Sequence, residues 1–261
     1  MPFSFVVGAV PVIPIKTMPS QHSEMSSQLL FGERALVLKQ ENDWLYIESH
    51  WDQYEGWIHK GSVNFITQKE YKKFPKTLTG IGINKLILEN GFCLLSPGSD
   101  LFGMKNNQFP WLKSSTIKYK GSKVVLKKNN FDAENILRFT LAFLGAGYQW
   151  GGRSLMGIDC SGLSQMVYKM LNISLPRDAN EQVKIGFSID FLIAAQCGDL
   201  AFFDNEEGAI IHVGILLDPY TIIHASQQSG CVVIDDIDQG GIISRKQKKR
   251  IGHLRIIKRI V

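Results

Sequence analysis

Residues 148–170 read "YQWGGRSLMGIDCSGLSQMVYKM", and the place of Cys160 in that stretch decides how the rest of the chain is read. Gly151 and Gly152 precede the cysteine and Gly162 follows it, while Leu163, Met166, Val167, Met170 and Leu171 then recur at helical spacing. This spacing predicts a helix that opens at Cys160 and buries one apolar stripe. Amide N–H groups in a helix's first turn have no intrahelical partner, and the macrodipole favours negative charge there. A thiol at that point is expected to ionise at a lowered pKa and to act as a nucleophile. The glycines leave room for a second backbone, and the N–H of Cys160 is placed to steady an oxyanion.

Working outward, the period before this stretch is helical and the period after it is two. In "DAENILRFTLAFLG", Ile136, Leu137, Thr140, Leu141 and Leu144 recur at three and four, with Asp132 and Glu134 suited to a helix start and Gly145 to a stop. After Gly198, the runs "DLAFFD", "AIIHVGILLD", "TIIHAS" and "CVVIDDI" are separated by "NEEG", "PY" and "QQSG", which predicts an antiparallel meander of four strands. Helices followed by a run of strands make an α+β domain.

A thiolate nucleophile needs a base that can return a proton to the leaving amine. His212 is the candidate: in "AIIHVGI" it shares a strand face with Gly214, and a glycine neighbour predicts open space before the imidazole. His224, one strand on, is expected beside it as the group that orients the ring. Each residue also has an ordinary reading. A buried free cysteine is most often a small hydrophobe, a strand histidine a satisfied core or edge residue, and two neighbouring histidines a metal pair.

The first half of the chain is all-β in pattern. Residues 1–66 alternate apolar and polar in runs such as "ERALVLKQ", "DWLYIES" and "EGWIHK", predicting five or so strands with Trp44 and Trp57 filling the middle of a small barrel. A second β stretch covers residues 67–129, with hairpin-type turns at Asn90-Gly91 and at Gly121. A new domain begins at residue 130.

The chain has 261 residues, 44% of them hydrophobic, enough for sizeable cores, and no run of eighteen apolar residues. The expectation is therefore no membrane span. The net charge of +5 comes from basic stretches at 69–76, 113–128 and 244–259, where cations alternate with apolar residues as on solvated strand faces, so nucleic acid is not the expected partner. Cys93, Cys160, Cys197 and Cys231 are widely scattered with no CxxC pair, unlike a zinc site or a dense disulfide framework. Reduced thiols and the lack of a basic segment before the first apolar run predict a cytoplasmic protein; an exported protein whose leader has been removed reads the same way.

Taken together, "YQWGGRSLMGIDCSGL", "LPRDANEQ", "GDLAFF", "HVGI" and "IIHAS" resemble the NlpC-type family of papain-like cysteine peptidases of bacterial cell walls, over residues 133 to 235. The resemblance implies Cys160 as nucleophile, His212 as base and His224 as the orienting group. It implies that Tyr148 and Trp150 line the site, with the Tyr148 hydroxyl as a second oxyanion donor, and that Asp159 and Ser161 contact substrate; a helix cap is the equal alternative for Asp159. Residues 1–66 resemble bacterial SH3-like domains, and "PSQHSEMSSQLLFGERALVL" with "DQYEGWI" is similar to the form these take in the γ-D-glutamyl-L-diamino acid endopeptidases, or dipeptidyl-peptidases VI. These remove L-Ala-γ-D-Glu from muropeptides with a free amino terminus.

By that likeness Asp178 in "LPRDANEQ" binds the substrate's α-ammonium, with Ala179 standing where a serine is common, and Glu24 and Tyr54 are the SH3-like contributors. The implied architecture is multidomain: an α+β papain-like catalytic domain at 130–261, helices packed on an antiparallel sheet, preceded by two small all-β SH3-like barrels at 1–66 and 67–129. The implied partners are peptidoglycan-derived peptides, and no cofactor or metal is expected. Two rival functions remain: an exported hydrolase of intact wall, and a non-catalytic wall-binding scaffold, against which the retention of all three polar groups argues.

Overall fold

The computed structural model describes residues 4–112, 114, 116–127 and 131–261, and the domain boundary expected between 129 and 130 lies outside them. The chain divides into two compact units, Met1–Leu126 and Lys127–Val261. Among the described residues no helix is long and apolar enough to cross a membrane.

In the first unit, β1 (Ser4–Gly8), β2 (Val12–Lys16), β3 (Met25–Leu30), β4 (Arg34–Glu41), β5 (Trp44–Ser49), β6 (Glu55–His59) and β7 (Val63–Ile66) form one antiparallel sheet in the order β3-β2-β6-β5-β4-β1-β7. Seven strands replace the expected five because β3, "MSSQLL", and β7, "VNFI", carry little apolar alternation. Val6, Ile13, Ile15, Leu29, Ala35, Leu45, Ile47, Ile58 and Val63 make the core, with Tyr54 packed against it. The two tryptophans do not fill it. The strand period of two turns Leu45 and Ile47 inward and so sends Trp44 to the other face, against the His59 ring, while Trp57 packs on Tyr46 and under the Lys39 ammonium.

After the short α1 (Gln68–Tyr71), the chain forms β8 (Thr77–Thr79), β9 (Asn84–Leu88), β10 (Gly91–Leu95), β11 (Lys118–Lys120) and β12 (Lys123–Val125). The hairpin at Asn90-Gly91 is present, with Gly91 opposite Leu88. Gly121 does not close a hairpin: β11 joins β9 and β10 in a three-stranded sheet, whereas β12 pairs with β8. These two small sheets stand where a second barrel is expected. They share a core with the first sheet, in which Val7 and Phe31 pack with Leu86, Leu95, Phe102, Phe109 and Trp111. Gly32 makes that junction possible: its φ is +75°, and a Cβ there would lie 1.9 Å from the carbonyl oxygen of Asp100, whose N–H donates to Phe31 O.

The second unit opens with α2 (Ala133–Leu141), capped by the Asp132 side chain accepting from the Asn135 N–H. Its buried face is Ile136, Phe139 and Thr140, continued past its end by Phe143, while Leu137, Leu141 and, beyond the helix, Leu144 are exposed. The expected stripe is thus rotated by one position, because the two phenylalanines offer more area to bury than the leucines. A small hairpin, β13 (Arg153–Ser154) and β14 (Gly157–Ile158), leads into α3 (Cys160–Met170), followed by α4 (Ala179–Gln182). All eleven residues of α3 are buried, so it is a central helix and not one with a single apolar face.

An eight-stranded antiparallel sheet carries the rest, in the order β15 (Phe187–Ile189), β22 (His253–Arg259), β16 (Leu200–Asp204), β17 (Ile210–Asp218), β18 (Thr221–Ser226), β19 (Cys231–Asp238), β20 (Gly241–Ser244), β21 (Lys249–Arg250). The expected meander is β16 to β19, and the basic tail supplies β22 beside β16.

Gly32→Ala is expected to strain the first unit by about 2 kcal/mol and to lower its thermal midpoint by about 5 °C or more. Calorimetry of the variant, which should leave the transition of the second unit in place, checks this.

Candidate active site

Where α3 begins is set by Asp159. Its Oδ1 accepts from the Gly162 N–H at 2.7 Å, the ordinary N-cap bond, and its Oδ2 accepts from the Gly151 N–H at 2.8 Å. Arg177 closes on the same carboxylate, Nη1 to Oδ1 at 3.0 Å and Nη2 to Oδ2 at 2.6 Å, and Nη1 also donates to Ser161 Oγ at 2.9 Å. Both partners are buried, and burial alone would depress the Arg177 guanidinium; the Asp159 charge and hydrogen bonds outweigh it and hold its pKa up. Of the two readings of Asp159, this geometry realises the cap. Gly162 has no room for a side chain, since a Cβ would lie 2.2 Å from Gly152 O, which lets the cysteine turn close over the loop before it.

Cys160 therefore occupies the first turn, as its spacing predicts, and its thiol accepts from the backbone N–H groups of Val213 and Ser161. The Val213 donor is available for a topological reason. The β17–β18 ladder pairs only Ile215 to Asp218 with Thr221 to Ile223, so the strands part at the level of residues 212 and 213, and the N–H aimed toward β18 meets sulfur in place of a carbonyl.

Across the same parting, His212 Nε2 lies 2.8 Å from His224 Nδ1, the two rings meeting edge to face. The space beside Gly214 is not open, contrary to expectation. A Cβ there would stand 2.6 Å from Ile222 Cδ1 and 3.0 Å from His224 Cβ, so the glycine admits these side chains and lets the two imidazoles meet. His224 Nε2 in turn lies 3.1 Å from Asp235 Oδ2 on β19, whose Oδ1 accepts from the Arg245 N–H at 2.8 Å. Both ring nitrogens of His224 are bound this way, so the two histidines and Asp235 form a hydrogen-bonded relay.

The protonation state differs from that expected of a helix-start cysteine. Burial, and then the nearby Asp159 charge, push the thiol up to about 11; the N–H groups of Val213 and Ser161 and the Arg177 charge oppose them and do not prevail. Burial, and then His224, hold His212 well below 6.5. Both shifts favour the uncharged forms, a thiol and a neutral imidazole.

This site sits in a chain with clear relatives. The NlpC/P60 family profile matches residues 145–250, and that of the bacterial dipeptidyl-peptidase SH3 domain matches residues 17–63. A γ-D-glutamyl-L-lysine dipeptidyl-peptidase of Bacillus subtilis (strain 168) is 31% identical over 235 residues, covering 80% of this chain and 75% of that protein. The chain belongs to the NlpC/P60 family. Dipeptidyl-peptidase 6 of Lysinibacillus sphaericus is 28% identical over 245 residues, 85% of this chain and 87% of the relative. A crystal structure of an NlpC/P60 family protein from Bacillus cereus shares the fold, with a TM-score of 0.76 at 19% identity over 98% of this chain and 99% of that one.

In this NlpC/P60 domain the expected residues fall as follows. Tyr148 is half-buried and its hydroxyl is pushed up to about 12 by burial, then by the Cys160 and Asp159 charges, which places it near the sulfur. Trp150 is exposed, and Ser161 is buried and turned toward Arg177. Asp178 is exposed at the start of α4 and makes no capping hydrogen bond with that helix. Glu24, exposed, and Tyr54, half-buried, belong to the first unit. Two further residues carry no signal of their own in sequence: Arg177 stands beside Asp178 in "LPRDANEQ", and Asp235 lies in a run, "CVVIDDI", whose period announces only a strand.

Two measurements test this chemistry. With the thiol raised, the thiolate fraction grows about tenfold per pH unit below the pKa; alkylation of Cys160 by iodoacetamide should climb steadily from pH 6 to 9, whereas a plateau there would reveal a preformed thiolate–imidazolium pair. Gly214→Ala should separate the two imidazoles and reduce kcat by about tenfold or more, measured alongside a thermal melt.

Proposed function

We propose that this chain is a cysteine endopeptidase that hydrolyses the γ-D-glutamyl to L-diamino acid bond of peptidoglycan-derived peptides with a free N-terminal L-Ala, releasing L-Ala-γ-D-Glu. The observation that carries the reading is that the sulfur of a helix-start cysteine binds the N–H of Val213, next in chain to His212, at the parting of the sheet where His212 meets His224. The names of the full-length relatives, dipeptidyl-peptidase 6 and γ-D-glutamyl-L-lysine dipeptidyl-peptidase, support the substrate class. The packing of α3 on β17 supports a papain-like arrangement, with the nucleophile on the helix and the base on the sheet. We read residues 67–126 as a reduced SH3-like module attached to the first sheet.

In the proposed cycle His212 Nδ1 takes the proton of Cys160, and Sγ attacks the γ-carbonyl carbon of D-Glu. The Cys160 N–H and the Tyr148 hydroxyl hold the resulting oxyanion. As the tetrahedral species collapses, His212 protonates the departing amine of the diamino acid, leaving a thioester; a water that gives its proton to His212 then releases the dipeptide. Trp150 lines the cleft, and Ser161 serves it from beneath by fixing Arg177. Asp178 pairs with the substrate's α-ammonium. Four free thiols suit a reducing compartment, and we place the reaction in the cytoplasm on peptides released by wall turnover.

The parent should cleave L-Ala-γ-D-Glu-L-Lys or its diaminopimelate counterpart, with mass spectrometry identifying the dipeptide product, and Cys160→Ala should abolish turnover. Acetylating the peptide's amino terminus, or replacing Asp178 by Asn, should cut kcat/KM by about a hundredfold, the scale of one lost charge-assisted contact. Equal cleavage of blocked peptide and of intact sacculi would favour the exported wall hydrolase instead, and undiminished turnover by Cys160→Ala would overturn the assignment.

A further inference from the structure

The relay ends on a carboxylate whose own surroundings decide which ring nitrogens carry protons. Asp235 is 2% exposed. In the β18–β19 register His224 faces Val233, so Asp235, two residues on, projects from the same sheet face as the diagonal neighbour of His224. Burial alone would raise its pKa, but the hydrogen bonds from His224 and from the Arg245 N–H outweigh that and keep the carboxyl ionised at neutral pH. An ionised carboxylate has no proton to give, so at 3.1 Å His224 Nε2 must be the donor.

The consequence passes along the relay. We take the relay in its uncharged state, in which each imidazole carries one N–H; with Nε2 protonated, His224 Nδ1 is then a lone pair. At 2.8 Å from it, His212 Nε2 must donate, which leaves Nδ1 of His212 as the acceptor nitrogen. That nitrogen is the one nearer the main chain, where the next amide, Val213 N–H, is bound to the Cys160 sulfur. We propose that Asp235 is a positioning residue that fixes the tautomers of both histidines, so that His212 presents a lone pair to the Cys160 thiol. The inference rests on Cys160 and His212 being the proton-transfer pair of the proposed peptidase. It also assigns a role to the start of the hairpin beyond β20: the Arg245 N–H, 2.8 Å from Oδ1, dictates which oxygen of Asp235 faces the ring.

Because of that second contact, Asp235→Asn is not a neutral exchange. The Arg245 N–H requires an acceptor, so the asparagine carbonyl turns toward it and the NH2 group faces His224 Nε2. Two donors cannot share that gap. His224 then carries its proton on Nδ1, His212 must accept with Nε2 and carries its own proton on Nδ1, and the thiol proton has no acceptor.

The test begins on the parent protein with histidine 15N NMR at pH 7.5, where both rings should be Nε2–H tautomers. In Asp235→Asn both should become Nδ1–H, with kcat on the L-Ala-γ-D-Glu-L-Lys peptide reduced by about 10²- to 10⁴-fold, the scale of a wrong-tautomer triad, and KM changed by less than about threefold, as for a lost transition-state interaction. A merely structural Asp235 would alter stability without exchanging the protonated nitrogens. The proposal is overturned if parent His212 is protonated on Nδ1, or if a folded Asp235→Asn keeps its kcat within about threefold. If that variant does not fold, the parent spectrum alone decides. A parent that fails to turn over the peptide would remove the peptidase reading while leaving the tautomers to be judged by NMR.

Discussion

The buried ion pair between Asp159 and Arg177 is the interaction on which the catalytic unit depends. It closes the first turn of α3 through Gly162, ties that turn to the preceding loop through Gly151, and reaches Ser161 from the far side. A pair so deeply buried gains little net stability over an apolar contact, but removing one partner costs about 3–5 kcal/mol because the other charge is left unpaired. Its value here is geometric: with the cap fixed, the sulfur of Cys160 has one place to be. The same carboxylate also raises the pKa of the thiol, so the group that positions the sulfur also disfavours its ionised form.

The second constraint is a defect in the sheet. Had β17 and β18 paired along their whole length, the Val213 N–H would have been consumed by a ladder bond. The early end of that ladder leaves a donor for sulfur and a gap across which two imidazoles meet. Gly214 belongs to this arrangement because any side chain would collide with His224 and Ile222. The cysteine and the two histidines are thus mounted on rigid elements where regular pairing stops, which fixes their placement without requiring a flexible loop.

Beneath α3, polar side chains on a fully buried helix are satisfied from within. Ser164 donates to Gln182 Oε1 at 2.6 Å, Gln182 Nε2 donates to Ser161 O and Pro176 O, and Gln165 pairs with Arg153 and Leu175 O. Such a network explains how the helix carries serine and glutamine at positions with no access to water. It also couples the loop holding Arg177 to the helix that Asp159 caps.

Much was legible in sequence where a residue's role depends on its near neighbours. The start of α3 at Cys160, the cap at Asp132, the meander from residue 200 and the hairpin at Asn90-Gly91 all follow from local periodicity and turn chemistry. Even the pairing of His212 with His224 follows from hairpin register. Roles set by partners distant in sequence were not legible: Arg177 acts through Asp159, eighteen positions away, Asp235 through the ring of His224, and Phe139 and Phe143 displaced the expected leucines because of what packs on them. The sequence alone determined where α3 begins and which strands carry His212 and His224. Tertiary structure decided which face of α2 is buried, how far the β17–β18 ladder runs, and whether the thiol rests charged or neutral, because burial and charge proximity are properties of the packed interior and have no local sequence code.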